Sequence, residues 1–465
     1  MSLLERLGRQ PEEPEQPKPA VTERPEPAIL HEPRGPLKPE LQPIKARMHS
    51  ELVALSAATG ELGGRGEVRA RIASLAEAHL RASGLAVTRR DLDILVESLL
   101  DDVLGLGPLE ALLADPDITE IMINHPNQIY VERRGRLQVS DVVFDSERQL
   151  KLVIDRVVSS VGRRVDESSP MCDARLADGS RVNVIIPPLA LRGACMSIRK
   201  FSKEKLAATD LVRFRSCTDA MLRFLGASVR ARLNIVVSGG TSSGKTTLLN
   251  VLSGFILPTE RIVTIEDAAE LRLMQEHVIT MEARPPNIEG TGEVPIRALL
   301  RNSLRMRPDR IIVGECRGGE ALDMLQAMNT GHEGSMSTVH ANTAADAISR
   351  LETMVMMAGA ELPVRAIQKQ IGSSVDLIVQ AQRLRGGARR IVSITELTGI
   401  ERDEVGHQEL FTYRQVGVSP EGAAYGYHTA TGKVPVHLDQ LVASGEDLPL
   451  SLFEPAPQPP PEDMY

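Results

Sequence analysis

Tryptophan is absent from the chain, and aromatic residues make up only 3% of its 465 positions. Platforms on which single-stranded bases could stack are therefore scarce, which argues against a helicase. An excess of positive charge is also missing. Lys and Arg number 54 against 62 Asp and Glu, a net charge of −8, so nothing draws the whole molecule toward nucleic acid. The four cysteines, Cys172, Cys195, Cys217 and Cys316, form no C-x-x-C pair, so neither a zinc site nor a disulfide framework is expected. No uninterrupted apolar run approaches membrane-spanning length, and Met1-Ser2-Leu3-Leu4-Glu5-Arg6 opens no apolar signal region. The expectation is a cytoplasmic protein without a transmembrane segment, peripheral at a membrane only through partners. What remains, 42% hydrophobic and 25% charged residues, is ordinary for a globular protein long enough for two or three domains.

The stretch that organises the rest is Ser238-Gly239-Gly240-Thr241-Ser242-Ser243-Gly244-Lys245-Thr246-Thr247. It fits the phosphate-loop pattern G-x-x-x-x-G-K-[ST], with Gly239, Gly244, Lys245 and Thr246 on the fixed positions. The flanks agree with it. Leu233 to Ser238 is an apolar, β-branched run that reads as a buried strand, and Thr246 to Leu252 reads as the following helix. Backbone N–H groups of such a loop turn inward around phosphates at the positive end of the helix. Lys245 then reaches the β- and γ-phosphates, and the Thr246 hydroxyl is placed to ligate Mg²⁺.

Taken in order, residues 9–45 hold ten of the chain's 30 prolines, and residues 1–45 read as a disordered Pro/Glu-rich tail. Residues 46–114 carry helical spacing and read as a small bundle ending at Gly105-Leu106-Gly107-Pro108. Residues 115–208 read as an α/β domain: strands at Thr119–Asn124 and Gln128–Glu132, a helix at Leu150–Val161, and strands within Ala174–Ile186 and Ala194–Phe201. A linker over 209–218 is the natural hinge. Over 219–400 apolar strands alternate with helices as in a doubly wound α/β domain, with strands at 233–238, 261–266, 310–314, 335–340, 375–380 and 391–396. Residues 401–465 show short strand-like pieces and a second Pro/Glu-rich end.

Ligands of open α/β sheets sit at the carboxyl ends of strands, and three such ends carry suitable groups. Glu266 and Asp267 end one strand, with Glu270 one helical turn on; the bland alternative for all three is a solvated helix start. Ile311-Ile312-Val313-Gly314-Glu315 is an apolar strand ending in an acid. Gly314 stands where many phosphate-loop ATPases keep the Mg²⁺-ligating Asp, so Glu315 is assigned to the attacking water. Metal contacts then come from Thr246 and, through water, from Glu266 or Asp267. His332 and His340 fall in one strand region. Metal ligation by them would need further His or Cys that the neighbourhood lacks. A histidine there hydrogen-bonds the γ-phosphate or senses its loss, and a plain structural histidine is the alternative. Met324, Met328, Met354, Met356 and Met357 read as packing. Arg305, Arg307 and Arg310 read as interface or solvated groups.

The chain resembles the type II/type IV secretion ATPase superfamily and, within it, the CpaF-type ATPases of Tad/Flp pilus assembly. The likeness rests on NIVVSGGTSSGKTTLLN, ERIVTIEDAAEL, LRMRPDRIIVGECRGGEALDMLQAMNTGHEGSMSTVHAN and SRLETMVMM in the core. It extends upstream to GLGPLEALL, ITEIMIN, VGRRVDESSPMCDARLADGSRVNVIIPP and SIRKF, and covers roughly residues 100 to 400. The resemblance implies an α/β fold with a RecA-like C-terminal domain and a hexameric ring. It implies Lys245 and Thr246 in the Walker A loop, with Gly239 to Thr247 around ATP. Glu266, Asp267 and Glu270 fall in the Asp box, Glu315 in an atypical Walker B, and His332 and His340 in the His box. It also implies arginines that close on the nucleotide, for which Arg181 and Arg199 are the first choices and Arg175 the next. The filling Gly240-Thr241-Ser242-Ser243 departs from the more usual Gly-Thr-Gly-Ser, and Ser242 removes some backbone freedom. The reading is an ATP- and Mg²⁺-dependent motor acting on inner-membrane pilus platform proteins. Its rivals are a secretion-channel ATPase exporting protein or DNA, a nucleic-acid translocase, and a scaffold that binds ATP without turnover.

Overall fold

The computed structural model describes residues 37–59, 64–201, 206–286, 291–359 and 361–459. Most of the expected Pro/Glu-rich tail, residues 1–36, and the final residues 460–465 lie outside the described residues, as does 287–290 of the loop after Arg284. The chain divides into two compact units after Gly105.

The first unit holds α1 (Gln42–Thr59), α2 (Arg65–Ser83) and α3 (Arg89–Leu104). Its helical part begins before the expected Ala46, with a 3₁₀ turn at Pro39–Leu41 running into α1. Met48, Leu52, Ile72, Ala76, Leu95 and Leu99 close its core. A capping box starts α3: the Thr88 hydroxyl accepts from the Asp91 N–H at 3.2 Å, and the Asp91 carboxylate accepts from the Thr88 N–H at 3.1 Å.

The second unit opens with α4 (Leu109–Ala114), whose Leu109 and Leu112 pack into an α/β core rather than with the helices before it. Six antiparallel strands follow: β1 (Ile118–His125), β2 (Gln128–Arg133), β3 (Arg136–Val139), β4 (Met171–Arg175), β5 (Arg181–Ile185) and β6 (Cys195–Arg199). They lie in the order β3-β2-β1-β6-β5-β4. α5 (Glu147–Ser160), capped by Ser146, buries Leu150, Val153, Ile154 and Val157 against one face. The expected hinge is partly helical: α6 (Ala208–Arg213) fills its first half, and its last residue, Thr218, caps α7 (Asp219–Arg230).

A nine-stranded sheet follows. Its parallel part comprises β7 (Ile235–Gly239), β8 (Ile262–Glu266), β9 (Val278–Glu282), β10 (Arg310–Cys316), β11 (Met336–Val339) and β12 (Leu377–Arg383). β13 (Arg389–Glu401), β14 (Glu404–Val418) and β15 (Ala424–Ala430) extend it antiparallel, in the order β15-β14-β13-β12-β7-β11-β10-β8-β9. Every residue of β7, β8 and β11 is buried, as expected of strands covered on both faces. α7 and α8 (Lys245–Ser253) cover one face through Met221, Phe224 and Leu249. The other is covered by α9 (Ile296–Ser303), α10 (Glu320–Met328), α11 (Ala344–Met357) and α12 (Val364–Ser374). One strand, β11, separates the phosphate-loop strand β7 from the acid-bearing strand β10, which is the RecA-like arrangement.

The strand-like pieces expected after Gly399 are strands, but long ones. β13 runs 13 residues and β14 runs 15, and each pairs along most of its length in the same sheet. α13 (Leu438–Ala443) and Phe453 then return to the main core, where Phe453 meets Phe224 and Phe411 with ring centroids 5.6 and 5.7 Å away. Fully buried Glu396 on β13 ties down this return. It accepts the Val436 and His437 N–H groups, and the His437 ring at 2.6 Å. Three expected packing methionines are buried, but Met356 and Met357 are 50% and 64% exposed, on the outer face of the last turn of α11. Arg310 is neither solvated nor at a surface. It is fully buried, paired with Glu260, and it also donates to the carbonyls of Gly334 and Val229.

Candidate functional site

Because β7, β8, β10 and β11 are parallel, their carboxyl ends share one edge of the sheet. The register sets Ser238 beside Val339, and Ile265 beside Val313. Residues at or just past those ends, Thr241 to Thr247, Glu266, Asp267, Glu315 and His340, line one cleft of about 250 Å³. Glu270 closes one wall, and Arg181 and Arg199 of the six-stranded sheet reach the same cleft. The Lys245 ammonium donates to the carbonyls of Gly239 and Gly240, at 3.0 and 3.1 Å. Gly239 admits no side chain: a Cβ there would stand 2.4 Å from the Ala381 carbonyl oxygen of β12.

His340 joins the loop to the acid strand. Its Nδ1 lies 2.9 Å from Glu315 Oε1 and 3.4 Å from Lys245 Nζ, and its Nε2 lies 3.2 Å from the Thr241 hydroxyl. With the proton on Nδ1, the ring donates to Glu315 and accepts from Thr241. Arg317 holds the other oxygen of Glu315, at 2.7 Å, and also contacts Asp267 at 3.2 Å. Burial opposes the charge on Glu315, but the hydrogen bonds from His340 and Arg317 outweigh it and hold the carboxyl below its ordinary value. Burial likewise lowers the Lys245 ammonium, with Glu315 opposing.

Glu266 is almost fully buried, and its carboxyl is pushed up to about 7 by that burial. No helix follows it. The chain runs on irregularly, and Glu266 turns back to accept the N–H groups of Glu270 and Leu271 at 2.9 and 3.0 Å. Glu270 is therefore not one helical turn on, and the solvated helix start does not exist. Glu270 instead accepts from Arg181 at 2.8 Å. Arg175 bonds Glu282 at 2.6 Å and the Ala269 carbonyl at 2.8 Å, whereas Arg199 is held only loosely, 3.8 Å from Glu120.

Like Arg175, His332 does not line this cleft. It precedes β11 while His340 follows it, so the whole strand separates them, and His332 lies at the amino end of the sheet. Its carbonyl accepts from Ser335, near the buried Arg310 and Asn234. Two arginines of the site went unread. Arg317 sits two residues after Glu315 in the quoted motif; its signal was an arginine directly past an acid-ended strand. Arg389 donates to the Ser242 carbonyl from 147 residues away, and no local pattern announces that.

The cleft suits a polyphosphate. A half-buried ammonium rests on carbonyls that a phosphate oxygen would replace, and the buried hydroxyl of Ser243 has no partner. The oxygen donors of Thr246, Glu266, Asp267 and Glu315 are those a magnesium ion takes. Among the described residues no three His, Cys, Asp or Glu side chains form a metal cage alone, so a cation here would share the phosphates as ligands.

Fold and site together define a phosphate-loop α/β protein with a RecA-like sheet. More specifically, the chain belongs to the type II/IV secretion system protein family, whose pattern matches residues 102–433. A putative conjugal transfer protein of Mycobacterium tuberculosis is 37% identical over 65% of this chain and 87% of its own length. The conjugal transfer protein TrbB of Rhizobium radiobacter is 33% identical over 68% and 94%, and the type IV secretion system protein PtlH of Bordetella pertussis is 36% identical over 63% and 95%. Among solved structures, the VirB11 ATPase of the Brucella suis type IV secretion system, crystallised with sulphate, is similar at 29% identity and a TM-score of 0.34. It covers 62% of this chain and 94% of that one. Among the described residues no helix is long and apolar enough to cross a membrane.

Proposed function

We propose that this protein is a Mg²⁺-dependent ATP hydrolase that works as a homo-hexameric motor on the cytoplasmic side of the inner membrane. The observation that carries the reading is the linked trio Lys245, His340 and Glu315, with contacts of 3.4 and 2.9 Å at the mouth of a phosphate loop. Lys245 exchanges the carbonyls of Gly239 and Gly240 for the β- and γ-phosphate oxygens. A magnesium ion, held by Thr246 and, through water, Asp267, supplies charge neutralisation when bound. Glu315 accepts a proton from the attacking water as the water oxygen bonds to the γ-phosphorus and the bond to the β–γ bridging oxygen breaks. Arg181 and Arg199 face the charge spread over the equatorial oxygens, and His340 lies where loss of the γ-phosphate is felt. The motion that follows is that of the six-stranded sheet against the nine-stranded one, across 209–218.

The motor's work is assembly of a Tad/Flp pilus through inner-membrane platform proteins, a reading supported by the CpaF-like motifs quoted above. Export through a secretion channel is the second reading, favoured by relatives described as conjugal transfer and type IV secretion proteins. Lys245→Ala tests the shared part: purified K245A should lose Mg·ATP binding and phosphate release, and parent-like binding would overturn the site. The same substitution in the source cell separates the readings. Loss of surface pili with export intact supports assembly, and the converse supports a channel.

A further inference from the structure

Ser242 occupies the phosphate-loop position where the more usual sequence has glycine, and its φ is +56°. That is the left-handed region, which a side chain disfavours and glycine visits freely. The loop therefore needs an external tie to hold its shape at this residue. The structure provides one. Arg389, the first residue of β13, donates from Nε to the Ser242 carbonyl at 3.0 Å. Its stem runs beside the loop, 3.4 Å from where a Cβ on Gly244 would stand. On its far side the guanidinium faces Glu132 of β2 at 3.8 Å, a carboxylate that Arg383 also holds at 3.1 Å.

The consequence follows from peptide geometry. In a trans peptide the C=O and the next N–H point in opposite directions. Holding the Ser242 carbonyl outward aims the Ser243 N–H into the loop, where it now lies 3.4 Å from the Gly240 carbonyl oxygen. The inward N–H groups are what grip phosphate in such a loop. Resting on the nucleotide reading above, we propose that Arg389 is a positioning residue for nucleotide binding: it fixes the Ser242–Ser243 peptide plane and so offsets the serine at a glycine position. Arg389 acts on the nucleotide through that peptide, without touching it.

The test is a double-mutant cycle on the full chain with Mg·ADP as the probe. R389M keeps the apolar stem and removes the donor. In the parent it should weaken Mg·ADP binding by about tenfold and raise KM for ATP, with kcat held within about twofold. In an S242G background, where the left-handed backbone needs no support, R389M should weaken binding by less than about threefold. Hydrogen exchange of the ligand-free protein gives a readout independent of nucleotide: R389M should speed exchange across 240–244 in the parent more than in S242G. An equal penalty in both backgrounds, by binding and by exchange, overturns the proposal while leaving the nucleotide site standing. Failure of the parent itself to bind Mg·ADP would overturn the nucleotide reading, and this inference with it.

Discussion

Glu266 fills the space into which a side chain at Gly314 would extend. A Cβ built on Gly314 stands 2.8 Å from Glu266 Cγ and 3.3 Å from its Oε2. The glycine of the acid strand is thus matched by a buried carboxylate side chain from the neighbouring strand.

Gly314→Ala should therefore overpack the sheet at this point. A loss of about 1–3 kcal/mol is expected, the usual cost of an added methyl that neighbours cannot avoid. Combining it with Glu266→Ala should recover part of that loss, since the opposing side chain is then gone. Urea denaturation of the two single variants and the double variant checks this. Additive losses would mean the two side chains do not share the space.

The two cleft arginines should act in hydrolysis more than in binding. Arg181 is anchored on Glu270 at 2.8 Å and Arg199 is nearly free at 3.8 Å from Glu120, so both can turn toward an added phosphate. Arg181→Ala and Arg199→Ala should keep Mg·ATP affinity within a few-fold and lose hydrolysis by at least about tenfold, below the 10³–10⁵ of the strongest arginine fingers. Lysine at either place should rescue poorly, because it lacks the planar fork. If subunits act on one another in a ring, mixing R199A protein into the parent should depress phosphate release by more than its share. A linear decline would rule out that coupling.

His437 should make the attachment of the C-terminal segment dependent on pH. Its hydrogen bonds to Asp376, at 3.3 Å, and to Glu396, at 2.6 Å, raise its pKa from 6.5 to about 9. The folded protein thus holds this proton over a range in which the unfolded chain releases it. The stabilisation is fully present below pH 6.5 and fades as pH rises through about 9, a loss on the order of 2 kcal/mol once the full shift, about 3 kcal/mol, is discounted for solvent screening of this partly exposed group. Denaturant midpoints of the parent and His437→Gln, taken at pH 6, 7.5 and 9, should converge at the alkaline end. A gap that does not narrow would place the histidine outside this role.

How much of this the sequence disclosed follows from the range of each interaction. The phosphate loop, its strand and its helix were legible because glycine spacing, β-branching and helix-forming residues agree within some twenty positions. Glu315 and His340 were legible because each follows an apolar strand directly. His332 misled for a related reason: it lies only eight positions before His340, but a strand passes between them and carries the two to opposite ends of the sheet. Long-range pairings left no local trace. Arg310 looks like one of three clustered surface arginines until Glu260, 50 residues away, is folded against it. Met356 and Met357 share the spacing of buried neighbours, yet fall where α11 ends and its outer face meets solvent. The sequence shows a strand at 391–396 within β13 and strand-like pieces after it, but not the length of β13 to β15, because long antiparallel strands of mixed polarity, broken by bulges, do not alternate cleanly.

On the proposed mechanism the trio at the mouth of the loop hydrolyses ATP, with Glu315 taking the proton from water. Glu315→Gln keeps the shape and the contact to His340 but removes the basic carboxylate. Single-turnover measurement with Mg·ATP and excess enzyme tests it most directly. E315Q should bind ATP about as tightly as the parent and release phosphate about 10²–10⁴ times more slowly, the range general-base catalysis supplies. Turnover above about a third of the parent rate would contradict it and move the base to another carboxylate of the cleft, Glu266 or Glu270.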